Sequence, residues 1–156
     1  MADAHRTSSP ELDRNLAFLA YGLMFFAVFF AGAPALIAVA IAHARRHTAI
    51  PLVRRHHAFQ IFVFWIGFGL ALLASASGMA ALVLFVAQLA DAAANTSKLP
   101  AVDAFITTLG QSHMLPTFIA SALIMTIVTA LWLVGASAYG FFRLASGKPI
   151  VQTREP

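Results

Sequence analysis

Residues 58–90 read AFQIFVFWIGFGLALLASASGMAALVLFVAQLA, and no Asp, Glu, Lys, Arg or His interrupts these positions. As a straight helix this run extends about 50 Å, against a bilayer hydrocarbon core of about 30 Å. It is long enough to cross a membrane once with strong tilt, with a break near Ser75-Ala76-Ser77-Gly78, or with an end projecting from the bilayer. Two crossings would need a polar turn and more residues. The stretch is therefore a single long span, and it sets the class of the whole chain.

Composition agrees with that reading. Of 156 residues, 60% are hydrophobic and only 10% are charged, with a mean hydropathy of +0.82. A soluble domain needs more charge than this to cover its surface. The formal charge of +4 raises the question of nucleic acid. The basic residues, however, stand at the ends of apolar runs, where headgroups and orientation rules account for them, so no nucleic-acid partner is expected. Cysteine is absent, which excludes disulfides and a catalytic thiol.

Working outward from the central run, two further apolar stretches appear. Residues 16–42 form the first, with Ala31-Gly32-Ala33-Pro34 near its middle. The small residues resemble a signal-peptidase site, but Pro34 would follow the cut and apolar sequence continues beyond it. An uncleaved span bent at Pro34 is expected. Residues 114–144 form the third span. The segments divide as follows: a polar start over 1–15, span one over 16–42, a basic connector over 43–57, span two over 58–90, an outer loop over 91–113, span three over 114–144 and a tail over 145–156. Ser8-Ser9-Pro10-Glu11 carries a helix-start signature, and Gly147 a helix stop. In the outer loop, Val102, Phe105, Ile106 and Leu109 repeat at helical spacing and predict a short interfacial helix. The fold class expected is an all-α membrane protein with three transmembrane helices in a small bundle.

Orientation follows from the basic residues. Arg45, Arg46, Arg54 and Arg55 share the connector, and Arg143, Lys148 and Arg154 follow span three, whereas Arg6, Arg14 and Lys98 flank the other ends. Three spans then put the connector and C-terminus in the cytoplasm and the N-terminus outside. The location expected is a bacterial inner membrane, with Arg45, Arg46, Arg54 and Arg55 meeting anionic lipid headgroups at the cytoplasmic face.

Sites for chemistry are sparse. His43 and His47 are four apart, which places them on one helical face with His56 or His57 nearby. The connector has no carboxylate to orient a ligating imidazole, so no metal site is assigned. All histidines lie at span ends or in loops, away from the facing mid-span positions that a membrane haem requires. Neither a phosphate-cradling glycine loop nor a hydrolase nucleophile elbow is present. No cofactor and no enzymatic activity are expected. The spans instead carry small residues at four-residue steps: Gly67, Ala71 and Ser75, continued by Gly78; Ala27, Ala31 and Ala35; and Ala122, Thr126 and Ala130. Such stripes allow close helix packing in lipid, within the bundle or against a partner subunit or second copy.

The stretch RRHHAFQIFVFWIGFGL from Arg54 resembles the histidine-glutamine-aromatic signature of a bacterial group of small multipass membrane proteins of unknown function. His57, Gln60, Phe64 and Trp65 stand at the signature positions, and YGFFRLASGKPI from Tyr139 is similar to the group's last-helix ending. Tyr21 also fits. The resemblance covers about residues 15 to 150, departing at the 91–113 loop, where the group usually has a tight hairpin. The group in turn looks distantly similar to the chloroplast inner-envelope protein-import component, which implies a channel or assembly role. His57 and Gln60, three apart, share one helix face where span two enters the bilayer, a placement suited to pinning a neighbouring helix end.

Three functions are compatible with these features. The first is a non-enzymatic accessory or scaffold subunit packing against a larger inner-membrane complex. The second is a transport or translocation component that is oligomeric or has a partner. The third is a metal- or anionic-lipid-binding module at the His/Arg connector.

Overall fold

A computed structural model describes residues 10–95, 103, 106, 110 and 113–150. Four long helices account for nearly all of it: α1 (Pro10–Phe26), α2 (Ala33–Arg45), α3 (Pro51–Asn95) and α4 (Met114–Ala145). A short 3-10 turn, Ala27–Phe30, continues α1. The protein is an all-α membrane protein, and three stretches are long and apolar enough to cross a bilayer: Pro10–Phe30, Pro51–Asp91 and Met114–Ala145. Of the expected interfacial helix, Asp103, Ile106 and Gly110 are helical, while Val102, Phe105 and Leu109 lie outside the described residues.

The first apolar stretch departs from expectation. Residues 16–42 are not one span bent at Pro34 but two helices folded back on each other. Ala31 (φ 50°) and Gly32 (φ 83°) both adopt the left-handed conformation, and Gly32 N–H returns to the Ala27 carbonyl at 2.9 Å. Pro34 falls in the first turn of α2, where its missing N–H costs nothing because helix-start donors have no intrahelical partner. The proline thus starts a helix instead of kinking one. Ala38 of α2 packs with Ala20 and Met24 of α1, and the end of α2 returns to the start of α1.

By compactness the chain divides into two units. The first holds the α1–α2 hairpin, α3 as far as Phe68 and α4 from Ala130. Its core consists of two adjoining clusters, one around Ala17, Tyr21, Val53 and Leu144, the other around Ala20, Met24, Ala38, Val63 and Leu133. Trp132 Nε1–H donates to the Val63 carbonyl at 3.1 Å, tying α4 to α3. Gly67 lets Leu133 approach so closely that a Cβ there would stand 2.8 Å from Leu133 Cδ2.

The second unit spans Gly69–Thr129. Its described helices are the remainder of α3 and the start of α4. They meet along a narrow seam in which Ser77 Oγ and Ser121 Oγ are 3.3 Å apart, and a Cβ at Gly78 would lie 3.9 Å from the Ala122 Cβ. Away from this seam, large apolar side chains such as Leu72, Met79, Val83 and Leu123 are exposed.

The connector is also shorter than the sequence suggested. α2 runs to Arg45 and α3 begins at Pro51, so Arg54, Arg55, His56 and His57 are helical and not part of a 43–57 loop. At the far end of α4, Gly147 (φ 66°) terminates the helix, with Lys148 N–H bonded to the Arg143 carbonyl at 2.9 Å. This is the glycine stop that the sequence indicated.

Candidate functional site

The polar side chains of the first unit gather at one end, where the start of α1, the α2–α3 connection, the first turns of α3 and the end of α4 come together. Asp13 is the hub. It is wholly buried, and one carboxylate oxygen accepts Arg45 Nη2 at 2.6 Å while the other accepts the Ile50 backbone N–H at 3.2 Å. The carboxylate therefore neutralises Arg45 and occupies an orphan donor just ahead of α3, where the helix dipole also favours negative charge. One residue on, Arg14 Nη2 donates to the Ala145 carbonyl at the end of α4, at 3.2 Å.

These contacts correct the expected topology. The start of α1 stands at the same end as the connector and the end of α4, where the expected arrangement set it at the opposite end. Three stretches long enough to span remain, but the α1–α2 hairpin returns to its starting end, so the N-terminal end of α1 and the connector lie together.

Beside Asp13 lie two adjacent histidines, both wholly buried. His56 Nε2 is 3.1 Å from the Lys148 carbonyl, and its Nδ1 is 3.0 Å from the Tyr21 hydroxyl. A carbonyl only accepts, so Nε2 carries the proton and the Tyr21 hydroxyl donates to Nδ1. His57 has the other tautomer. Gln60 Nε2 lies 2.9 Å from the Ala17 carbonyl, which fixes the amide orientation and turns Gln60 Oε1 toward His57 Nδ1, also at 2.9 Å. Nδ1 of His57 must therefore be the donor. Nε2 of His57 and Nε of Arg45 are buried and have no hydrogen-bond partner among the described residues.

Packing reinforces the hydrogen bonds. Tyr21 lies edge-on to His56, with centroids 5.9 Å apart, and the hydroxyl end of its ring fills the space left by Gly140. A Cβ at Gly140 would overlap that ring. The tail beyond α4 is held twice, by His56 on the Lys148 carbonyl and by the Arg143 guanidinium on the Pro149 carbonyl. In geometry, the Tyr21–His56 pair is a hydroxyl beside an imidazole base. Its next partner is a backbone carbonyl, and the hydroxyl is sealed beneath α4. The arrangement is that of a lock between helices.

The residues singled out from sequence are distributed as follows. His57 and Gln60 meet as their three-residue spacing requires and pin α1 through Ala17. His43 and His47 are exposed, whereas His56 and His57 are engaged inside, so the four do not converge. Among the described residues no three His, Asp or Glu side chains form a group able to hold a metal ion. Arg45, expected at the headgroups, turns inward to Asp13, while Arg46, Arg54 and Arg55 are exposed. Of the small-residue positions, Ala27 and Ala35 are buried in the hairpin, Gly67, Gly78 and Ala122 lie in the α3–α4 seams, and Ala130 is half-buried. Ala31 forms the left-handed turn. Ala71, Ser75 and Thr126 are exposed, with the Thr126 hydroxyl returned to the Ala122 carbonyl at 2.8 Å. The sequence offered no signal for Asp13, and marked His56 only as a neighbour of His43 and His47, since the partners that define their roles lie 32 and 92 residues away.

No family model matches the chain, and neither the curated proteins nor the solved structures contain a match.

Proposed function

We propose that this chain is a non-enzymatic scaffold subunit that packs against other membrane proteins. The observation that carries the reading is the mismatch between apolar length and bilayer thickness. Helix α3 has 45 residues and α4 has 32. At a rise of about 1.5 Å per residue the uncharged run 58–90 of α3 extends about 50 Å and α4 about 48 Å, against about 30 Å of hydrocarbon. Tilt alone would need to exceed the usual range of about 0–40° to submerge so much apolar surface. Exposed side chains along both helices, among them Leu82, Val86, Ile124 and Ile127, are suited to protein contact over the excess length. The buried Asp13, His56 and Gln60 side chains of the first unit are meanwhile engaged in holding its own helices.

The resemblance to small bacterial multipass proteins supports a bacterial inner membrane as the location. The positive-inside rule supports a cytoplasmic position for the end that bears Arg14, Arg46, Arg54, Arg55 and Lys148. On this reading the start of α1 and the end of α4 are both cytoplasmic. The chain has no cysteine, so single cysteines introduced at Thr48 and Ser146 report on this face without a background signal. Both should resist a membrane-impermeant maleimide in intact cells and react after permeabilisation; labelling of either in intact cells refutes the orientation.

The scaffold role is tested by extraction from the native membrane in a mild detergent. Stoichiometric membrane-protein partners should co-purify. A monodisperse monomer at every detergent strength refutes the proposal.

A further inference from the structure

The end of the molecule built around Asp13 has an outer surface as well as an inner lock. Arg46 follows α2, Arg54 stands in the first turns of α3, and Lys148 lies just beyond α4; all three are exposed, as is His47. Their backbones are fixed by the buried contacts beneath them. Thr48 and Ala49 N–H groups return to the Arg45 carbonyl at 3.2 and 3.0 Å, holding the turn that carries Arg46 and His47. The Ile50 N–H bond to Asp13 anchors the start of α3. His56, two residues after Arg54, grips the carbonyl of Lys148 and so brings that lysine to the first turns of α3. Arg46 and Arg54, from neighbouring segments, and Lys148, from beyond α4, thus share one rim. Of the two acids in the first turn of α1 at this end, Asp13 is wholly buried and paired with Arg45, and the exposed Glu11 leaves the rim with a net positive charge.

We infer that Arg46, Arg54 and Lys148 form an interaction surface for anionic phospholipid headgroups, with the buried Asp13 and His56 contacts holding the three cations in register. The rim lies where three apolar helices end, the position at which a bilayer presents its phosphates. Guanidinium groups match phosphate oxygens in paired geometry, and the flexible lysine adds a point charge. Positive charges close to an anionic leaflet each contribute roughly a five-fold gain in affinity at moderate salt. The surface requires no partner protein, so it holds whether or not other subunits co-purify.

The test uses the full chain in a neutral maltoside detergent, titrated with phosphatidylglycerol, with phosphatidylcholine of the same acyl chains, or with inorganic phosphate, reading the thermal unfolding midpoint. Phosphatidylglycerol should act at a concentration at least about ten-fold lower than phosphatidylcholine, with inorganic phosphate giving no shift. The R46Q/R54Q/K148Q variant should bring the two lipids to parity while leaving the lipid-free midpoint nearly unchanged. Should that variant fail to fold, the wild-type preference is read against salt, and it should collapse by about 0.5 M NaCl. Parity of the two lipids on the wild type, a matching shift with inorganic phosphate, a preference that persists in the folded triple variant, or one that survives high salt each overturns the inference.

Discussion

The two compact units are held together by different physics, although α3 and α4 contribute to both. In the first, helices are locked by buried polar groups with fixed partners: Asp13 on Arg45, Gln60 on Ala17, His56 between Tyr21 and Lys148. In the second, the described helices meet at small residues, and a cross-helix hydrogen bond joins two serine hydroxyls. Polar locks are specific in direction and partner, whereas small-residue seams mainly set how closely backbones approach. The first unit should therefore respond sharply to single substitutions and the second weakly.

The sharpest contrast is between two glycines. Gly140→Ala forces a methyl group into the buried ring of Tyr21, with the Tyr21–His56 bond at risk, and should cost about 3 kcal/mol. Gly78→Ala meets only an ordinary van der Waals contact and should stay within about 0.5 kcal/mol of the parent. Thermal or denaturant unfolding in detergent measures both. Equal costs would erase the distinction between the units.

Next in size is the ion pair. Asp13→Leu leaves Arg45 and the Ile50 N–H without their acceptor and should cost about 2 kcal/mol, tempered because Arg45 retains 23% side-chain exposure. Asp13→Asn keeps an acceptor and should recover about half of that loss. If Leu and Asn behave alike in unfolding experiments, the hub is a packing position and not a polar lock. Ser77→Ala, in the other unit, removes one hydroxyl pair and should cost only about 0.5 kcal/mol.

The last test carries almost no energy but resolves the lock in detail. Nitrogen-15 spectra of the histidine side chains at neutral pH should show His56 protonated on Nε2 and His57 on Nδ1. A shared tautomer, or rapid averaging at either ring, would contradict the hydrogen-bond assignment.

How much of this was legible in the sequence depends on the range of the interaction. The apolar runs, the proline at the start of α1, Gly147 at the end of α4 and the meeting of His57 with Gln60 all follow from neighbours a few residues apart. The hairpin was also written locally, in Gly32 followed by Pro34, a helix stop followed by a helix start. It was read as a bend because the apolar run continued through it, and hydrophobicity alone does not distinguish a kink from a reversal. The partners of Asp13 and His56 come from remote segments, so no local spacing could reveal them. The same remoteness made Arg45 look like a surface cation, since the carboxylate that turns it inward belongs to another helix.

The left-handed step at Ala31 and Gly32 has a consequence for biosynthesis. The reversal between α1 and α2 is made by small and aromatic residues with no charge among them. Insertion of this pair therefore requires no hydrated loop to be carried through the hydrocarbon, a passage that would be costly for any ionised group. The two helices form one continuous apolar wedge, and the Asp13–Arg45 pair ties its open end.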